Sequence, residues 1–461
     1  MGQLFGTDGV RGVANRDLTA SLAVDLGQAA GSVLRRSKDD LSPVILIGRD
    51  TRRSGDFLEA ALAAGVAAAG FDALCVGVAP TPALAYLVRR YGAAAAAVIS
   101  ASHNPPEYNG IKFFGPDGYK LEDRLEEAIE AWVAARRTGR EPAGAADQHL
   151  IGSAVGRVLR RGGGAEYRDF LRQRLGDAAV RTRIVLDCAH GALYDLAPRL
   201  LEAAGAVVTP LHIQPDGMNI NVKCGSTHPE VLAAAVREHG AQVGFAFDGD
   251  GDRCIAVDEQ GRIIDGDQIM AVVGLARLRA GQLPGRAIVT TVMSNLGLDA
   301  AIERAGGRVV RAAVGDRQVV AAMREKGLVM GGEQSGHLVF HDAGQTTGDG
   351  LLTAIEVLRV MAAGTDSPST PLSALADEME TYPQILRNVE AADHQRAAAD
   401  PAVAEAVRKA VARLGADGRI LVRPSGTEPL IRVMGEGKDL QLLQEVVSEV
   451  VEAVIAVSQP I

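Results

Sequence analysis

The chain reads Ile99-Ser100-Ala101-Ser102-His103-Asn104-Pro105-Pro106 at the end of an apolar run, 93–99, that is typical of a buried strand. The two prolines end the strand and keep the residue before each of them out of helical backbone angles. The pattern therefore predicts that Ser102 is presented on a tight loop at a strand end, with His103 beside it. A serine in such a loop can also simply cap a turn, so its role depends on what the rest of the chain brings to it.

Ahead of this loop, short apolar runs alternate with longer helical patterns. We predict a strand over 44–47, a helix from about Asp56, a strand over 74–78 and a helix from about Pro82. This alternation is typical of an α/β domain with a largely parallel sheet, in which ligands bind at the carboxyl ends of the strands. Ser102 follows such an end.

Composition limits the possible functions. A chain of 461 residues is too long for one core and predicts about three or four domains. The formal net charge of −9 argues against nucleic acid or an anionic membrane as the main partner, so local basic residues must hold any anionic substrate. Four widely spaced cysteines predict free thiols in a reducing compartment. No signal-peptide pattern and no long apolar run is found, and we therefore expect a cytoplasmic protein.

An acidic loop follows later in the chain, at 245–253, with the sequence Phe-Ala-Phe-Asp-Gly-Asp-Gly-Asp-Arg. Asp248, Asp250 and Asp252 alternate with glycines that allow the loop to curl. Like charges converge stably only around a cation, and ligands that are all oxygen favour Mg²⁺ or a similar hard ion. The aspartates also match the start of an EF-hand loop, but Arg253 stands where that loop needs glycine. We reject that alternative and expect Arg253 to face a phosphate that shares the metal.

Two segments near the serine carry basic residues. The glycine-rich stretch at 5–12 includes Arg11 and is suited either to close approach of an anion or to a plain turn. The segment 108–114 predicts a strand carrying Lys112, and the turn at 116–118 predicts that this strand continues into a hairpin. Lys112 would be either part of the site or an ordinary surface lysine.

Two further loops have compositions suited to a sugar phosphate. The loop at 329–337 places Glu333, Ser335 and His337 between glycines, which suits either sugar hydroxyls or a structural turn. Near the C-terminus, a strand, a Ser-Gly-Thr loop and a second strand would form a cradle for phosphate. The residues of this cradle are Arg423, Ser425, Gly426, Thr427 and Arg432.

Five of these stretches resemble, in order and spacing, the α-D-phosphohexomutases: Phe5–Gly12, Ser100–Pro105, Asp248–Arg253, Gly332–His337 and Arg423–Pro429. The first stretch, the segment at 110–114 and the loop at 331–337 look most like the members that act on glucosamine phosphates. The resemblance covers essentially the whole chain. It implies three α/β mixed-sheet domains and a smaller C-terminal α+β domain around a central cleft. We expect a phosphoserine domain at 1–155, a metal-binding domain at 156–259, a sugar-recognition domain at 260–368 and a phosphate-binding domain at 369–461.

The resemblance also implies a reaction. Glucosamine 6-phosphate and glucosamine 1-phosphate would be interconverted on the route to UDP-N-acetylglucosamine, with glucosamine 1,6-bisphosphate as intermediate and activator. Ser102 would be the phosphoserine, and one Mg²⁺ per chain would be bound by this residue and by Asp248, Asp250 and Asp252.

Roles for the other residues follow from the same resemblance. Lys112 would be the general acid/base, Arg11 an electrostatic stabiliser, and His103 a further catalytic residue. The remaining candidates would bind substrate: Arg253 and His337, Glu333 and Ser335 at the sugar hydroxyls, and Arg423, Ser425, Gly426, Thr427 and Arg432 at the phosphate that is not transferred.

Three other functions stay open at this point. The nearest is a hexomutase that prefers glucose or mannose phosphates, which differ at C2 of the sugar. A metal-dependent phosphatase could use the same serine and acidic loop if water reached the phosphoserine. A binding protein without activity would need neither Ser102 nor the aspartates. The small-molecule partner is compatible with either a monomer or a homodimer.

Overall fold

Helices and strands alternate along the chain in a computed structural model that describes residues 4–458 apart from 7, 38–41, 141–149, 163, 364–368 and 426–428. The chain divides into two compact units. The larger unit consists of Met1–Val292 and Val310–Asp377, and the smaller consists of Met293–Val309 and Glu378–Ile461.

The first sheet has six strands in the order β1-β5-β4-β2-β3-β6. Its strands are β1 Val10–Val13, β2 Val44–Arg49, β3 Asp72–Val78, β4 Ala95–Ile99, β5 Tyr108–Phe114 and β6 Val158–Arg160. The helices of this region are α1 Ala20–Ser37, α2 Gly55–Ala68, α3 Thr81–Arg90 and α4 Asp123–Arg137. The strands β4, β2, β3 and β6 run parallel, whereas β5 is antiparallel to both β1 and β4. Ser102 follows the carboxyl end of β4, as predicted.

The turn predicted at 116–118 forms, but the hairpin that it makes is minimal. β4 lines one edge of β5 and β1 lines the other at residues 108–111, so little free edge is left for a returning strand. After the turn the chain makes only an isolated bridge between Phe114 and Lys120.

The second sheet has the order β11-β10-β9-β7-β8. Its elements are β7 Arg183–Asp187, β8 Val207–Leu211, β9 Val243–Phe247, β10 Cys254–Asp258 and β11 Ile263–Ile264, with helices α5 Gly164–Leu175, α6 Leu196–Ala203 and α7 Pro229–His239. The acidic loop connects β9 to its antiparallel neighbour β10. Every residue of these two strands is buried, so the aspartates lie where two core strands end.

The third sheet has the order β13-β12-β14-β15. Its strands are β12 Ala287–Thr291, β13 Arg308–Ala312, β14 Met330–Gly332 and β15 Leu338–Phe340. The helices of this part of the chain are α8 Gly266–Arg279, α9 Leu296–Arg304, α10 Asp316–Lys326, α11 Gly350–Ala362 and α12 Leu372–Ala376. Asp265 and Gln268 form a reciprocal capping box at the start of α8, which satisfies backbone donors that a helix end leaves open.

The last sheet is small and antiparallel, in the order β16-β18-β17. Its strands are β16 Gln384–Glu390, β17 Gly418–Pro424 and β18 Leu430–Gly437, with helices α13 His394–Ala398, α14 Pro401–Leu414 and α15 Leu440–Val457. One face of the sheet packs its valines and isoleucines against α15 to form a separate core. Three mixed α/β sheets and this smaller α+β region confirm the predicted fold class.

The sheets extend past two of the predicted domain limits. The strand β6, after the limit at 155, is hydrogen-bonded to β3, and β11, after the limit at 259, pairs with β10. All four cysteines are buried and unpaired. Across the described helices, none has the length and apolar character needed to span a bilayer.

Candidate active site

Ser102 lies in a buried and conformationally unusual position. Its backbone φ is +52°, in the left-handed region that residues with a side chain rarely adopt, and the residue is 2% exposed. The hydroxyl Oγ donates to Asp248 Oδ2 at 2.6 Å and lies 3.3 Å from His103 Nδ1. The structure therefore brings the predicted serine, histidine and first aspartate together across 146 residues of chain.

The three aspartates converge as the glycine pattern predicted. Asp248, Asp250 and Asp252 are all buried, and each offers a carboxylate oxygen within 4.8 Å of the others. The glycine at 249 is required by space, because a Cβ there would lie 2.6 Å from the carbonyl oxygen of Ser102. The acidic loop and the serine loop thus pack directly against each other.

The charge at this cluster suits a cation. Burial, together with the carboxylates of Asp252 and Asp250, raises the pKa of Asp248 well above its usual value. Within the part of the chain that the structure describes, Asp250 Oδ1 and Asp252 Oδ1 are buried without a hydrogen-bond partner. Buried carboxylate oxygens without donors are costly, and a metal ion would satisfy both. The donor set, which is all oxygen, fits a hard divalent ion.

Lys112 points into the same cluster. Its Nζ donates to Asp250 Oδ2 at 2.8 Å and lies 3.7 Å from Asp8 and 3.8 Å from Asp252. Burial works against the charged form, but these carboxylates outweigh it and raise the pKa of Lys112 above the usual value. The Lys112 ammonium, with a hydrogen bond from Thr81, in turn holds the pKa of Asp250 below its usual value, again against the effect of burial. Lys112 is therefore a buried ammonium and not a surface lysine.

The imidazole of His103, in contrast to the ammonium of Lys112, is uncharged at neutral pH. Burial, together with the cationic side chains of Arg253 and Arg11, lowers the pKa of His103 to about 4. His103 is consequently neutral at pH 7. The histidine beside the serine can therefore accept a proton or a hydrogen bond. The lysine on the other side of the cluster already carries its proton.

Arg11 and His337 reach the site through a chain of charged groups. Arg11 and Lys120 both bind the carboxylate of Asp8, and Lys120 also binds Asp316. Asp316 Oδ2 lies 3.8 Å from His337 Nε2, which accepts a hydrogen bond from a backbone N–H at 3.1 Å. Loops of the first and third sheets therefore meet where Lys120 joins Asp8 to Asp316.

The remaining candidates on the larger unit are less enclosed. Arg253 donates its backbone N–H to Asp248 Oδ1 at 3.2 Å, and its side chain is 24% exposed. Glu333 Oε1 accepts from the backbone N–H of Gly315 at 3.2 Å, whereas Ser335 is exposed. The glycine at 336 has φ +89°, and a Cβ there would lie within 2.3 Å of a carbonyl oxygen of Cys254.

The predicted phosphate cradle belongs to the smaller unit. Arg423 on β17 and Arg432 on β18 are direct cross-strand partners, and Ser425 is buried at the end of β17. Burial and the neighbouring Arg432 lower the pKa of Arg423, as expected where two guanidinium groups share one face of a sheet. Gly426 and Thr427 lie outside the described residues.

Three contacts at the site were missed by the sequence prediction. Thr81 donates to Asp250 Oδ2 at 2.5 Å, and both Arg52 and Asn221 donate to the carbonyl oxygen of Ser102. The one local signal was that Arg52 and Thr81 follow the carboxyl ends of β2 and β3, the two strands next in order after β4 in the same sheet. No pattern around Asn221 indicated its contact.

Comparison with known proteins gives concordant matches along the chain. Four family profiles match in order, described as Phosphoglucomutase/phosphomannomutase alpha/beta/alpha domains I, II and III and the C-terminal domain, at residues 2–140, 165–261, 265–382 and 386–453. A phosphoglucosamine mutase of Carboxydothermus hydrogenoformans is 49% identical over 98% of this chain and 99% of that protein. The phosphoglucosamine mutase of Pelotomaculum thermopropionicum is 50% identical over the same shares.

A solved structure shows the same likeness in three dimensions. A phosphoglucomutase/phosphomannomutase family protein from Burkholderia thailandensis superimposes with a TM-score of 0.81 at 26% identity. The match covers 98% of this chain and 97% of that protein.

Proposed function

The chain belongs to the phosphoglucomutase/phosphomannomutase family, and from this premise we propose that it is an isomerase that interconverts glucosamine 6-phosphate and glucosamine 1-phosphate. The observation that carries the chemistry is Ser102 Oγ at 2.6 Å from a cluster of three buried carboxylates. The choice of sugar rests on relatives about half identical over nearly the full chain, which are phosphoglucosamine mutases.

In the proposed cycle, Ser102 carries a phosphoryl group and passes it to the free hydroxyl of the sugar monophosphate. The P–O bond to Ser102 Oγ breaks as the bond to the sugar oxygen forms, giving glucosamine 1,6-bisphosphate. The bisphosphate then turns round, and its other phosphoryl group returns to Ser102. Each cycle therefore regenerates the phosphoenzyme and leaves the phosphate on the other carbon of the sugar.

The residues around Ser102 have complementary roles in this proposal. Lys112, kept protonated by its carboxylates, gives a proton to the leaving seryl oxygen and regains the one that the sugar hydroxyl loses. On the return step it takes the seryl proton and gives one to the sugar oxygen that is released. His103 is neutral and adjacent to the same oxygen. Arg11, oriented by Asp8, stabilises negative charge on the transferring group.

One magnesium ion per chain is proposed at the acidic loop. Asp248, Asp250, Asp252 and the phosphoserine would hold it, and it would neutralise charge on the transferring phosphoryl group. Sugar hydroxyls are assigned to Glu333 and Ser335. The assignment to substrate of the other polar groups follows the sequence prediction: Arg253, His337, Arg423, Ser425, Gly426, Thr427 and Arg432.

We place the reaction in the cytoplasm, on the route to UDP-N-acetylglucosamine. The domain roles are proposed as in the sequence prediction: phosphoserine, metal binding, sugar recognition and phosphate binding, in chain order. The subunit count, monomer or homodimer, is a separate question that sedimentation of the purified protein answers.

An assay of sugar preference tests the function. The kcat/KM for glucosamine 1-phosphate should exceed those for glucose 1-phosphate and mannose 1-phosphate, measured with the matching bisphosphate as activator. A higher value for glucose or mannose phosphate would make the chain a mutase for that sugar. Release of inorganic phosphate as fast as isomerisation would instead indicate a phosphatase.

Substitution of Arg423 by alanine tests the phosphate cradle. The change removes one guanidinium from the sheet face shared with Arg432 and leaves Ser102 and the aspartates untouched. Charge-assisted hydrogen bonds contribute about 1.5 to 3 kcal/mol, so KM should rise about 10- to 150-fold. Because the anchored phosphate also orients the sugar, turnover should fall, and free bisphosphate should accumulate.

Arg387 provides a matched control on the same sheet. It is exposed, and its register opposite Val433 places it on the other face from Arg423. Arg387→Ala should leave KM and kcat unchanged. Equal kinetics for the two variants would place the anchored phosphate elsewhere.

A further inference from the structure

One arginine next to the site has all of its donors engaged by the protein itself. Arg52 is 0% exposed, and its Nε donates to Asp50 Oδ2 at 2.9 Å. Its two terminal nitrogens donate to four backbone carbonyl oxygens, those of Ser102, Asn104, Pro105 and Tyr108. A guanidinium has five N–H donors, and five acceptors are present.

The four carbonyl groups belong to the loop that carries the serine. They lie within residues 102–108, between the end of β4 and the start of β5. The loop therefore wraps around a single buried cation. Because no N–H of the guanidinium is left over, Arg52 cannot also bind a phosphate, which distinguishes it from Arg11 and Arg253.

The counter-ion of Arg52 holds the serine from a second direction. Asp50 Oδ2 also accepts a hydrogen bond from Ser100 Oγ at 2.6 Å. In turn, Ser100 Oγ accepts the backbone N–H of Ser102 at 2.9 Å. Both the N–H and the carbonyl group of Ser102 are thus fixed by one network that is centred on the Asp50–Arg52 pair.

Asn221 reinforces this network from the second sheet's part of the chain. Its Nδ2 donates to the carbonyl oxygens of Ser102 at 2.8 Å and Asn104 at 3.0 Å, which are also acceptors of Arg52. The carbonyl groups of Ser102 and Asn104 therefore accept four hydrogen bonds between them. They hold Ser102 at φ +52°, a conformation that an unrestrained serine would leave.

We propose that Arg52 is the positioning residue of the phosphoryl-carrying serine, fixing the loop so that Ser102 Oγ keeps its place when it is phosphorylated and when it is not. The inference rests on the proposed function, in which Ser102 carries the phosphoryl group. A phosphoryl group adds about −1.5 to −2 charges beside three carboxylates, and a free loop would swing away from them. Arg52 acts through the backbone and touches neither substrate nor phosphorus.

The test compares Arg52→Lys with Arg53→Lys. Both changes keep the charge, but lysine has three donors for the five acceptors of Arg52, whereas Arg53 is exposed. For Arg52→Lys we expect kcat to fall about 100-fold, the scale of a misplaced reacting group, with KM for the sugar phosphate unchanged. Phosphate released to water per isomerisation should rise. Arg53→Lys should match the wild type in all three quantities.

The outcomes separate this proposal from the function on which it rests. If the wild type isomerises glucosamine phosphates and Arg52→Lys keeps its kcat, positioning by Arg52 is wrong while the function stands. A higher KM at unchanged kcat would also overturn it, because that result indicates substrate binding. If the wild type itself does not isomerise, the proposed function fails first.

A second variant covers the case in which Arg52→Lys does not fold. Asn221→Ala removes donors from two of the same carbonyl groups without disturbing a buried charge. Its kcat should fall about 10-fold or more at unchanged KM. Wild-type kcat in a folded Asn221→Ala enzyme, together with an insoluble Arg52→Lys, would reduce Arg52 to a stabilising role and overturn the proposal.

Discussion

Ser102→Ala is expected to lower isomerase activity by at least about 10³-fold while the protein stays folded. The hydroxyl is the only proposed carrier of the phosphoryl group, so no parallel route remains. The fold should survive because the loop is held through its backbone carbonyl groups, which alanine retains. The side-chain hydrogen bonds lost are those to Asp248 and, at longer distance, His103, and the free energy of unfolding should change by about 1 to 2 kcal/mol.

Two measurements check this expectation. Intact-mass analysis should find one covalent phosphate on the purified active enzyme and none on Ser102→Ala. An exposed helical serine, Ser448, is the control, and Ser448→Ala should keep both the phosphate and the activity. A stoichiometric phosphate that persists in Ser102→Ala would move the nucleophile to another residue.

Asp250→Asn should cost about 100-fold or more in kcat, because it weakens the metal site and removes the partner of Lys112. Unfolding measurements give a readout independent of activity. A ligand at 100 times its Kd stabilises the folded state by about 2.7 kcal/mol, so saturating Mg²⁺ should raise the Tm of the wild type. The rise should be largely absent in Asp250→Asn.

The stability of this variant without metal has two opposing contributions. Loss of the carboxylate deprives the buried Lys112 ammonium of its nearest partner, although Asp8 and Asp252 stay within 4 Å. It also relieves repulsion among three converging carboxylates. Asp177→Asn, at an exposed aspartate, should keep the Mg²⁺ response. An undiminished response in Asp250→Asn would place the metal elsewhere.

Candidate functional residues could be predicted from the sequence where they lie together in one short loop. Ser102 could be predicted because it lies between the end of an apolar strand and two prolines, and the acidic loop could be predicted because glycines alternate with carboxylates. In both cases a physical constraint acts within a few residues. The alternation of helices and strands could be predicted for the same reason, because apolar spacing is also a local property.

Contacts between distant segments could not be predicted in this way. Arg52 meets Ser102 across 50 residues, Asn221 across 119, and Thr81 meets Asp250 across 169. The shortness of the hairpin has the same origin, because β1 and β4 occupy most of the edges of β5 and no local pattern assigns them there. Charge state also depends on tertiary contacts. The buried, protonated state of Lys112 depends on carboxylates from distant segments, which no local pattern places beside it.

The position of the acidic loop against the serine loop bears on how such a protein is made. Synthesis proceeds from the N-terminus, so a chain released before residue 248 contains the serine but no aspartate to face it. Under the proposed function, an incomplete product of the ribosome would therefore lack the metal site and should not transfer phosphate to unintended acceptors.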